Sequence, residues 1–292
     1  MSLLITGAYG QVGRELVAQA GTHAVGIDRD VLDLGELGAV LSTLRRLRPR
    51  VVINAAAYTA VDKAEQEPGE AFAANRDGVA HLATACSELR IPLLHVSTDY
   101  VYDGRKAMPY NEEDEPNPQG VYARSKLEGD QRLRELLDQH LILRVSWVFS
   151  AHGNNFVKTI LRLAATRPAL RVVADQHGGP TPAADIARAL LLLARRYETD
   201  GPLPWGTYHY SGAPATSWHG FASAIVTRAA QLGMIAAAPE VAAITTAEYP
   251  LPAPRPANSV FDCSRAAKLL GLKQPEWRQG LDDVLRVLKA AT

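Results

Sequence analysis

A tyrosine and a lysine four residues apart form the first pattern that could carry chemistry. Tyr122 and Lys126 fall in the stretch YARSK, where helical spacing puts both side chains on one face, about 6 Å apart. A phenol is a weak proton donor near neutral pH unless a fixed ammonium stabilises its anion. Thr98, in the segment HVSTDYVY, supplies a hydroxyl that could share a substrate oxygen with Tyr122. The three residues predict proton transfer at that oxygen.

A glycine-rich turn near the N-terminus predicts a dinucleotide site. Gly7, Gly10 and Gly13 follow an apolar run and open a helical pattern, so backbone N–H groups there can approach a pyrophosphate. Asp28 ends the next apolar run, 15 positions after Gly13, where an acid that binds the adenosine ribose is expected. The alternative for Asp28 is a turn cap. Arg29 could take the 2′-phosphate of NADP whereas Asp28 favours NAD, so both cofactors stay open.

Alternating strand and helix patterns predict how these residues meet. Buried strands are expected at 3–6, 24–28, 51–57, 93–97 and 141–147, and helices at 37–47, 70–89 and 122–137. This order predicts an α/β fold with a Rossmann-like, doubly wound parallel sheet, whose strand ends form the ligand crevice. After residue 149, helices at 155–165, 183–197 and 217–232 alternate with Pro- and Gly-rich loops and predict a smaller mixed α/β lobe.

Composition excludes several classes of protein. The 292 residues are 47% hydrophobic and 21% charged, which is typical of a globular chain rather than a disordered or fibrous one. The 31 basic and 31 acidic side chains balance, so no global field attracts nucleic acid or anionic lipid. Two cysteines, Cys86 and Cys263, make no disulfide framework, and without a signal peptide or a membrane-length apolar run we expect a cytoplasmic protein.

Longer motifs cover nearly the whole chain and resemble the nucleotide-sugar reductases of the extended short-chain dehydrogenase/reductase family. The motifs are TGAYGQVGREL at the start, NAAAYTAVDKAEQEP from 54, HVSTDYVYDG from 95, VYARSKLEGD from 121, RVSWVFSAHGNNFVKTILRLA from 144, DQHGGPT from 175 and PAPRPANS from 252. The AVDKAE and STDYVYDG segments are far more specific than the glycine loop.

The resemblance implies an activity and its ligands. It implies reduction of the 4-keto group of dTDP-4-dehydro-β-L-rhamnose to dTDP-L-rhamnose with NADPH or NADH. Residues 1–149 would then bind the dinucleotide, with return segments from the second half, and residues 150–292 would bind the nucleotide sugar. A nucleotide sugar is the expected partner, with no nucleic acid or membrane, and the chain would be a monomer or a homodimer.

Site residues follow from the same resemblance. Tyr122 would be the proton donor, Lys126 its electrostatic and ribose-binding partner, and Thr98 the second hydrogen bond to the keto oxygen. The other implied cofactor contacts are Gly7, Tyr9, Gly10, Gln11, Val12, Gly13, Asp28, Arg29, Asp33, Leu34, Ala55, Ala56, Ala57 and Tyr58. The other implied substrate contacts are Thr59, Asp99, Tyr100, Trp147, Asn154, Asn155, the 178–181 loop and Arg255. Two of them have an alternative: Trp147 fits core packing equally well, and Arg255 could form a surface ion pair.

Three alternatives are left open by the sequence. The chain could reduce another dTDP-4-keto-6-deoxyhexose, or bind a dinucleotide as a non-catalytic regulatory subunit. Some family members also bind a divalent cation between subunits, and Glu15 and Asp185 match two of the positions, without a third ligand that the sequence locates. Glu15 could instead be a favourable acid in the first turn of its helix, so Mg²⁺ at a dimer interface stays open. A dehydratase is disfavoured because Tyr100 stands where those enzymes carry a catalytic Glu.

Overall fold

The computed structural model describes residues 2–291, and short strands form its framework. Along the chain the strands are β1 (Leu3–Thr6), β2 (Ala24–Ile27), β3 (Val51–Asn54), β4 (Leu93–Thr98), β5 (His140–Val145), β6 (Val148–Phe149), β7 (Ala169–Val173), β8 (His177–Gly178), β9 (Thr181–Pro182), β10 (Gly206–Tyr210), β11 (Thr216–Ser217), β12 (Glu240–Ile244) and β13 (Asn258–Ser259).

Six of these strands form one parallel sheet in the order β10-β5-β4-β3-β1-β2. The direction in which strands are added reverses between β1 and β3, and open α/β sheets bind ligands at such a switch point. The doubly wound parallel sheet predicted from the sequence is therefore confirmed.

Helices cover both faces of the sheet and build the second lobe. They are α1 (Gln11–Ala20), α2 (Leu37–Leu47), α3 (Val61–Ala64), α4 (Pro68–Phe72), α5 (Gly78–Leu89), α6 (Val121–Leu136), α7 (Phe156–Ala164), α8 (Ala183–Asp200), α9 (Trp218–Gln231) and α10 (Trp277–Ala290). A π-helical turn, Ala73–Asp77, joins α4 to α5, and 3-10 turns lie at Gly21–His23, Asp99–Val101 and Thr246–Glu248, with a second π turn at Ala266–Leu270.

Alternating residues of the strands enter two separate cores. Ile5 and Leu143 pack with α1 and α8 on one face, whereas Leu4 and Ile142 pack with α2, α5 and α6 on the other. Both faces are buried, which is why these strands read as continuous apolar runs in the sequence. A third core joins α7, α9 and α10 around Phe221 in the second lobe. No helix among residues 2–291 is long and apolar enough to cross a membrane.

Three predicted elements need correction, and one strand of the main sheet was not predicted. Strand 51–57 ends at Asn54, and strand 141–147 ends at Val145 because Trp147 has a left-handed φ of +48° that leaves the extended region. The predicted helix 70–89 is interrupted by the π turn. The sixth strand, β10, was not predicted, since its sequence GTYHY is half polar and follows a loop of Gly and Pro. A division of the chain at residue 149 stays a prediction, and α8 and β10 pack with the first half.

Candidate active site

The glycine loop between β1 and α1 has room only for glycine at two positions. A Cβ on Gly13 would lie 1.9 Å from the carbonyl oxygen of Gly7, and a Cβ on Gly7, where φ is +72°, would lie 2.5 Å from the Ala56 nitrogen. Helix α1 begins after Gly10 with no side chain capping its N-terminus. Its first N–H groups therefore remain directed at the loop, an arrangement that suits a pyrophosphate.

A cavity of about 620 Å³ lies at the switch point beside this loop. Most of the predicted cofactor residues line it, namely Gly7, Tyr9, Gly10, Asp28, Arg29, Asp33, Leu34, Ala55, Ala56, Ala57 and Tyr58. Val12 instead packs in the core, so its part in binding would be through its backbone N–H. The lining of the cavity, the glycine loop and the uncapped helix fit a dinucleotide.

Asp28 fixes the shape of the glycine loop. Its Oδ2 accepts the backbone N–H of Tyr9 at 2.7 Å, and its Oδ1 accepts the N–H of Arg29 at 2.8 Å. The carboxylate therefore holds its own turn and also joins β2 to the loop. Because each carboxylate oxygen has a second lone pair and Asp28 lines the cavity, ribose binding and the turn cap are compatible.

Tyr122 and Thr98 come together at the carboxyl end of β4. Both residues are buried. Burial raises the pKa of Tyr122 to about 12, and contact with the Thr98 hydroxyl opposes part of this increase. The phenol is therefore protonated at neutral pH, as a proton donor must be. The Tyr100 ring packs edge-on against Tyr122, with ring centroids 5.5 Å apart.

The single hydroxyl hydrogen of Thr98 has a partner in the free protein. Thr98 Oγ1 donates to Asp99 Oδ1 at 3.1 Å and accepts the backbone N–H of Tyr100 at 3.3 Å. Burial raises the pKa of Asp99 to about 6, so this carboxyl is mostly ionised at neutral pH and accepts the bond. The Thr98 hydroxyl would have to rotate away from Asp99 to donate to a substrate oxygen.

Lys126 lies one turn after Tyr122 and is only 2% exposed. Its Nζ donates to the carbonyl oxygen of Val96 at 2.9 Å and lies 3.1 Å from Nε2 of His95. Burial lowers the pKa of Lys126 to about 8, against the opposing attraction of Asp130. The amine is thus held against β4 and can change its charge in the neutral to mildly alkaline range.

Sequence reasoning missed the buried polar groups behind Lys126. Asn54, His95, Ser97 and Asp130 are all buried, and Ser97 Oγ donates to Asp130 Oδ2 at 2.9 Å. Arg144 Nε also donates to this oxygen, at 3.3 Å. For Asn54, His95 and Ser97 the only sequence signal was a polar position within an apolar strand run, and Asp130, on α6, had none.

Glu65, from the AVDKAE motif, caps helix α6 from a distance in sequence. Its Oε1 accepts the N–H of Val121 at 2.7 Å, at the first residue of α6 and next to Tyr122. Gly120, the residue before Val121, has a φ of +102°, and a Cβ at this position would lie 2.7 Å from Oε1 of Glu65. This contact positions the start of the helix that carries both Tyr122 and Lys126.

We expect Glu65→Ala to lower the free energy of unfolding by about 1 kcal/mol, the usual value of a helix cap, and to lower turnover by displacing Tyr122. Glu65→Gln keeps a carbonyl acceptor and should retain most of both. Urea unfolding and steady-state rates measure these effects. Glu36→Ala is the matched control, because Glu36 stands before α2 without a capping hydrogen bond. Equal losses in the Ala and Gln variants would contradict this role.

A second cavity, of about 770 Å³, has Tyr100 in its wall. Three guanidinium groups line it, those of Arg167, Arg171 and Arg255, together with Gln176 and apolar side chains of the second lobe. Tyr58 lines the first cavity and packs in one cluster with Tyr122 and Tyr100. The buried Tyr122 thus packs in one cluster with a wall residue of each cavity, one cavity suited to a dinucleotide and the other to an anionic ligand with an apolar part.

Arg255 is held beside the second cavity by the AVDKAE motif. Its Nη2 donates to Asp62 Oδ2 at 2.7 Å, and Asp62 Oδ1 accepts the N–H of Ala253 at 3.1 Å. The proline-rich segment around Arg255 is thereby an ordered loop. The guanidinium remains at the cavity wall, where it could bind a phosphate.

The remaining predicted substrate residues occupy different surroundings. Trp147 stacks on Trp218, with ring centroids 3.6 Å apart, and Trp218 lines the second cavity. Asn155 caps α7, and its amide donates to Gln11 Oε1 at 2.9 Å. Thr59 and Asn154 are exposed. In the 178–181 loop a Cβ on Gly178 would lie 2.5 Å from the Trp147 ring, so this glycine makes room for the indole stack.

Glu15 and Asp185 share a separate cavity of about 470 Å³ near α10. Glu15 lies 3.8 Å from His152, and Asp185 pairs with Arg188. Within residues 2–291, no group of three or more His, Cys, Asp or Glu side chains is arranged to hold a metal ion. The residues of this single chain therefore do not fit a metal site, and no chemical step is assigned to one.

Comparison with known proteins agrees with this geometry. A protein of Aggregatibacter actinomycetemcomitans named dTDP-4-dehydrorhamnose reductase is 44% identical over 286 residues, 97% of each chain. A Clostridium acetobutylicum protein of the same name has a crystal structure with a TM-score of 0.91 and 36% identity, covering 99% of this chain and 100% of that one. A Bacillus anthracis protein of that name, solved in complex with NADP, has a TM-score of 0.89 and 34% identity, covering 98% and 100%.

The parallel sheet and its glycine loop together define a Rossmann-like α/β fold. A UDP-glucose 4-epimerase of Thermus thermophilus, 19% identical with a TM-score of 0.82, shares this fold alone. Residues 1–290 match the family model described as RmlD substrate binding domain, and the chain belongs to that family.

Proposed function

We propose that this protein is an NAD(P)H-dependent reductase that converts the 4-keto group of dTDP-4-dehydro-β-L-rhamnose into the hydroxyl of dTDP-L-rhamnose. The observation that carries the proposal is the packing of Tyr122, in contact with Thr98 and in one cluster with Tyr58 and Tyr100, which line two cavities of different chemistry. Full-length relatives named dTDP-4-dehydrorhamnose reductase support the choice of substrate.

The chain's own residues supply the proton and the electrostatics. Tyr122 gives its phenolic proton to the C4 oxygen of the sugar, while Thr98 turns from Asp99 to donate a second hydrogen bond. The Lys126 ammonium, four residues from Tyr122, stabilises the resulting phenolate. The cofactor, when bound, supplies the hydride. Burial of Thr98 and Tyr122 keeps water away from the reacting oxygen.

Residues around the first cavity would hold the cofactor. The amides of the glycine loop and of the first turn of α1 would bind the pyrophosphate, and Asp28 would bind a ribose hydroxyl with its free lone pairs. Arg29 is exposed at the rim, where it could pair with the 2′-phosphate of NADPH. We therefore propose that both NADPH and NADH serve.

The second cavity would hold the nucleotide sugar. Arg255 and Arg171 can face a diphosphate, while Phe156 and Trp218 give an apolar wall for the remainder of the ligand. This combination suits an anionic nucleotide sugar and explains how a chain of zero net charge binds two polyanions. Local cations and oriented amides replace a global field.

The test is to mix the purified protein with NADPH and dTDP-4-dehydrorhamnose and follow the absorbance of the reduced cofactor. We expect its loss to depend on the sugar and to give dTDP-rhamnose. Turnover only with another dTDP-4-keto-6-deoxyhexose would move the activity to that sugar. Tight NADPH binding without turnover on any such sugar would contradict the proposal and favour a regulatory dinucleotide-binding protein.

The rate should depend on pH through Lys126. Because the reaction needs the ammonium and burial lowers the pKa of Lys126 to about 8, we expect kcat/KM to be level near pH 7 and to fall above about pH 8. In Lys126→Arg the guanidinium stays charged, so the fall of kcat/KM at alkaline pH, its alkaline limb, should move to higher pH, and the overall rate should be lower. A limb that stays at the same pH in Lys126→Arg would assign it to a different group.

A further inference from the structure

A chain of buried side chains runs behind Lys126, along the carboxyl ends of the central strands. It joins Thr6, where the glycine loop begins, through Asn54 and His95 to Lys126 and Asp130. All five residues are at most 2% exposed. The proposed reaction uses only Lys126, so the others have no role assigned to them so far.

The amide of Asn54 can have only one orientation. Its Oδ1 accepts the backbone N–H of Ala56 at 3.0 Å and lies 2.7 Å from the Thr6 hydroxyl. Because a backbone N–H can only donate, the atom facing it must be the oxygen. Asn54 Nδ2 is therefore the atom that lies 3.0 Å from Nδ1 of His95.

This orientation selects the tautomer of His95. An amide nitrogen can only donate, so Nδ1 of His95 must accept, and the one proton of the neutral ring must be on Nε2. Burial, together with the positive charge of Lys126, lowers the pKa of His95 well below its usual value and keeps the ring neutral. The ring thus presents an N–H donor, not a lone pair, toward Lys126.

Two acceptors compete for that donor. Nζ of Lys126 lies 3.1 Å from Nε2, and Oδ1 of Asp130 lies 3.9 Å from it. Oδ1 of Asp130 is buried without a hydrogen-bond partner, although Oδ2 of the same carboxylate has two. A neutral Lys126 amine has a lone pair for the Nε2–H, but an ammonium has none.

We propose that His95 is a positioning residue that shifts its Nε2–H hydrogen bond from Lys126 to Oδ1 of Asp130 when Lys126 becomes protonated. No proton passes through His95, which keeps its single proton throughout. The shift frees the ammonium to turn toward Tyr122 and provides the unpaired oxygen of Asp130 with a donor. The expected effect on turnover rests on the proposed function, whereas the tautomer of His95 and the shift of its hydrogen bond do not.

The other charged and titratable groups around this cluster are few. Tyr122 shares helix α6 with Lys126 and Asp130, and β5 contributes Arg144, which donates to Asp130, and His140, which acts on His95 through its charge. Burial lowers the pKa of His140. Lys126 is thus the group of this cluster expected to change charge between pH 7 and 9.

Nitrogen NMR of protein labelled with ¹⁵N-histidine tests the inference without any substrate. We expect His95, assigned by its absence in His95→Gln, to have a protonated Nε2 and an unprotonated Nδ1 from pH 6 to 10. Its Nε2 signal should move with a midpoint near the titration of Lys126, and Lys126→Met should abolish that movement. A proton on Nδ1, a doubly protonated ring, or a movement that persists in Lys126→Met would overturn it.

Kinetics provide a second readout. In His95→Gln the side-chain amide can turn its oxygen to accept a hydrogen bond from the Lys126 ammonium, which stabilises the charged form. The decrease of kcat/KM at alkaline pH should therefore move to higher pH by a measurable fraction of a pH unit. The affinity for NADPH should be retained. His23→Gln, at an exposed site, is the control. A lower rate with an unmoved limb would reduce His95 to a packing role. If the sugar is not turned over at all, the spectra still decide the tautomer.

Discussion

Replacing Tyr122 by phenylalanine should reduce turnover by about 10²–10⁴-fold, the range that a positioned general acid contributes. The ring would remain against Tyr100, so the packing of the cluster should survive. NADPH affinity should change little, because the phenolic oxygen contacts Thr98 rather than the glycine loop. Steady-state rates and fluorescence titration with NADPH measure the two quantities separately.

Tyr197→Phe is the matched control for this substitution. Tyr197 lies on α8 and packs against Trp205, in a region that no step of the proposed mechanism uses. Its loss of a hydroxyl should leave turnover unchanged. Full activity in Tyr122→Phe would remove Tyr122 from the role of proton donor, and equal losses in both variants would indicate a general effect of losing a hydroxyl.

Replacing Lys126 by methionine should lower activity and raise stability together. Turnover should fall by about 10² or more, because the phenolate of Tyr122 would lose its cation. Stability should rise because burial lowers the pKa of Lys126 from 10.5 to about 8, which means that the fold disfavours the charge. At about 1.4 kcal/mol per pKa unit, the buried charge destabilises the fold by about 3 kcal/mol. The variant regains this free energy but loses the hydrogen bond to the Val96 carbonyl, which costs it about 1 kcal/mol.

The sign of the pH dependence follows from linkage. A lysine whose pKa is lower in the folded state destabilises the fold fully below about pH 8, and the penalty vanishes as pH rises toward 10.5. Urea unfolding should therefore show Lys126→Met to be more stable than the natural protein at pH 7, by an amount that shrinks at pH 9.5. A variant that is less stable at pH 7, with a difference that pH does not alter, would contradict this account.

Regular features of the site could be predicted from the sequence because they obey local rules. The glycine spacing predicts a loop that only glycine can form at Gly7 and Gly13. The four-residue spacing predicts Tyr122 and Lys126 on one face of α6, which begins within one residue of the predicted start. Strand periodicity predicts the sheet, because both of its faces are buried and each strand reads as an apolar run.

Contacts between distant segments could not be predicted in this way. Glu65 caps α6 from 56 positions away, and His95 meets Lys126 across 31 positions. Nothing in local spacing brings such side chains together, since tertiary packing sets the distance. The partner of the Thr98 hydroxyl, Asp99, is adjacent in sequence, yet only the geometry shows that the hydroxyl hydrogen is already engaged.

In the proposed reaction, a hydride and a proton reach C4 and its oxygen in a nucleotide sugar bound at this site. The most direct measurement uses NADPH deuterated at the transferable position of nicotinamide C4, with mass and NMR analysis of the sugar product. We predict one deuterium per turnover, located at C4 of dTDP-rhamnose, and about 10²–10⁴-fold less labelled product in the same time when Tyr122→Phe replaces the natural protein. Oxidation of NADPH without deuterium in the sugar, or deuterium at another carbon, would contradict the account.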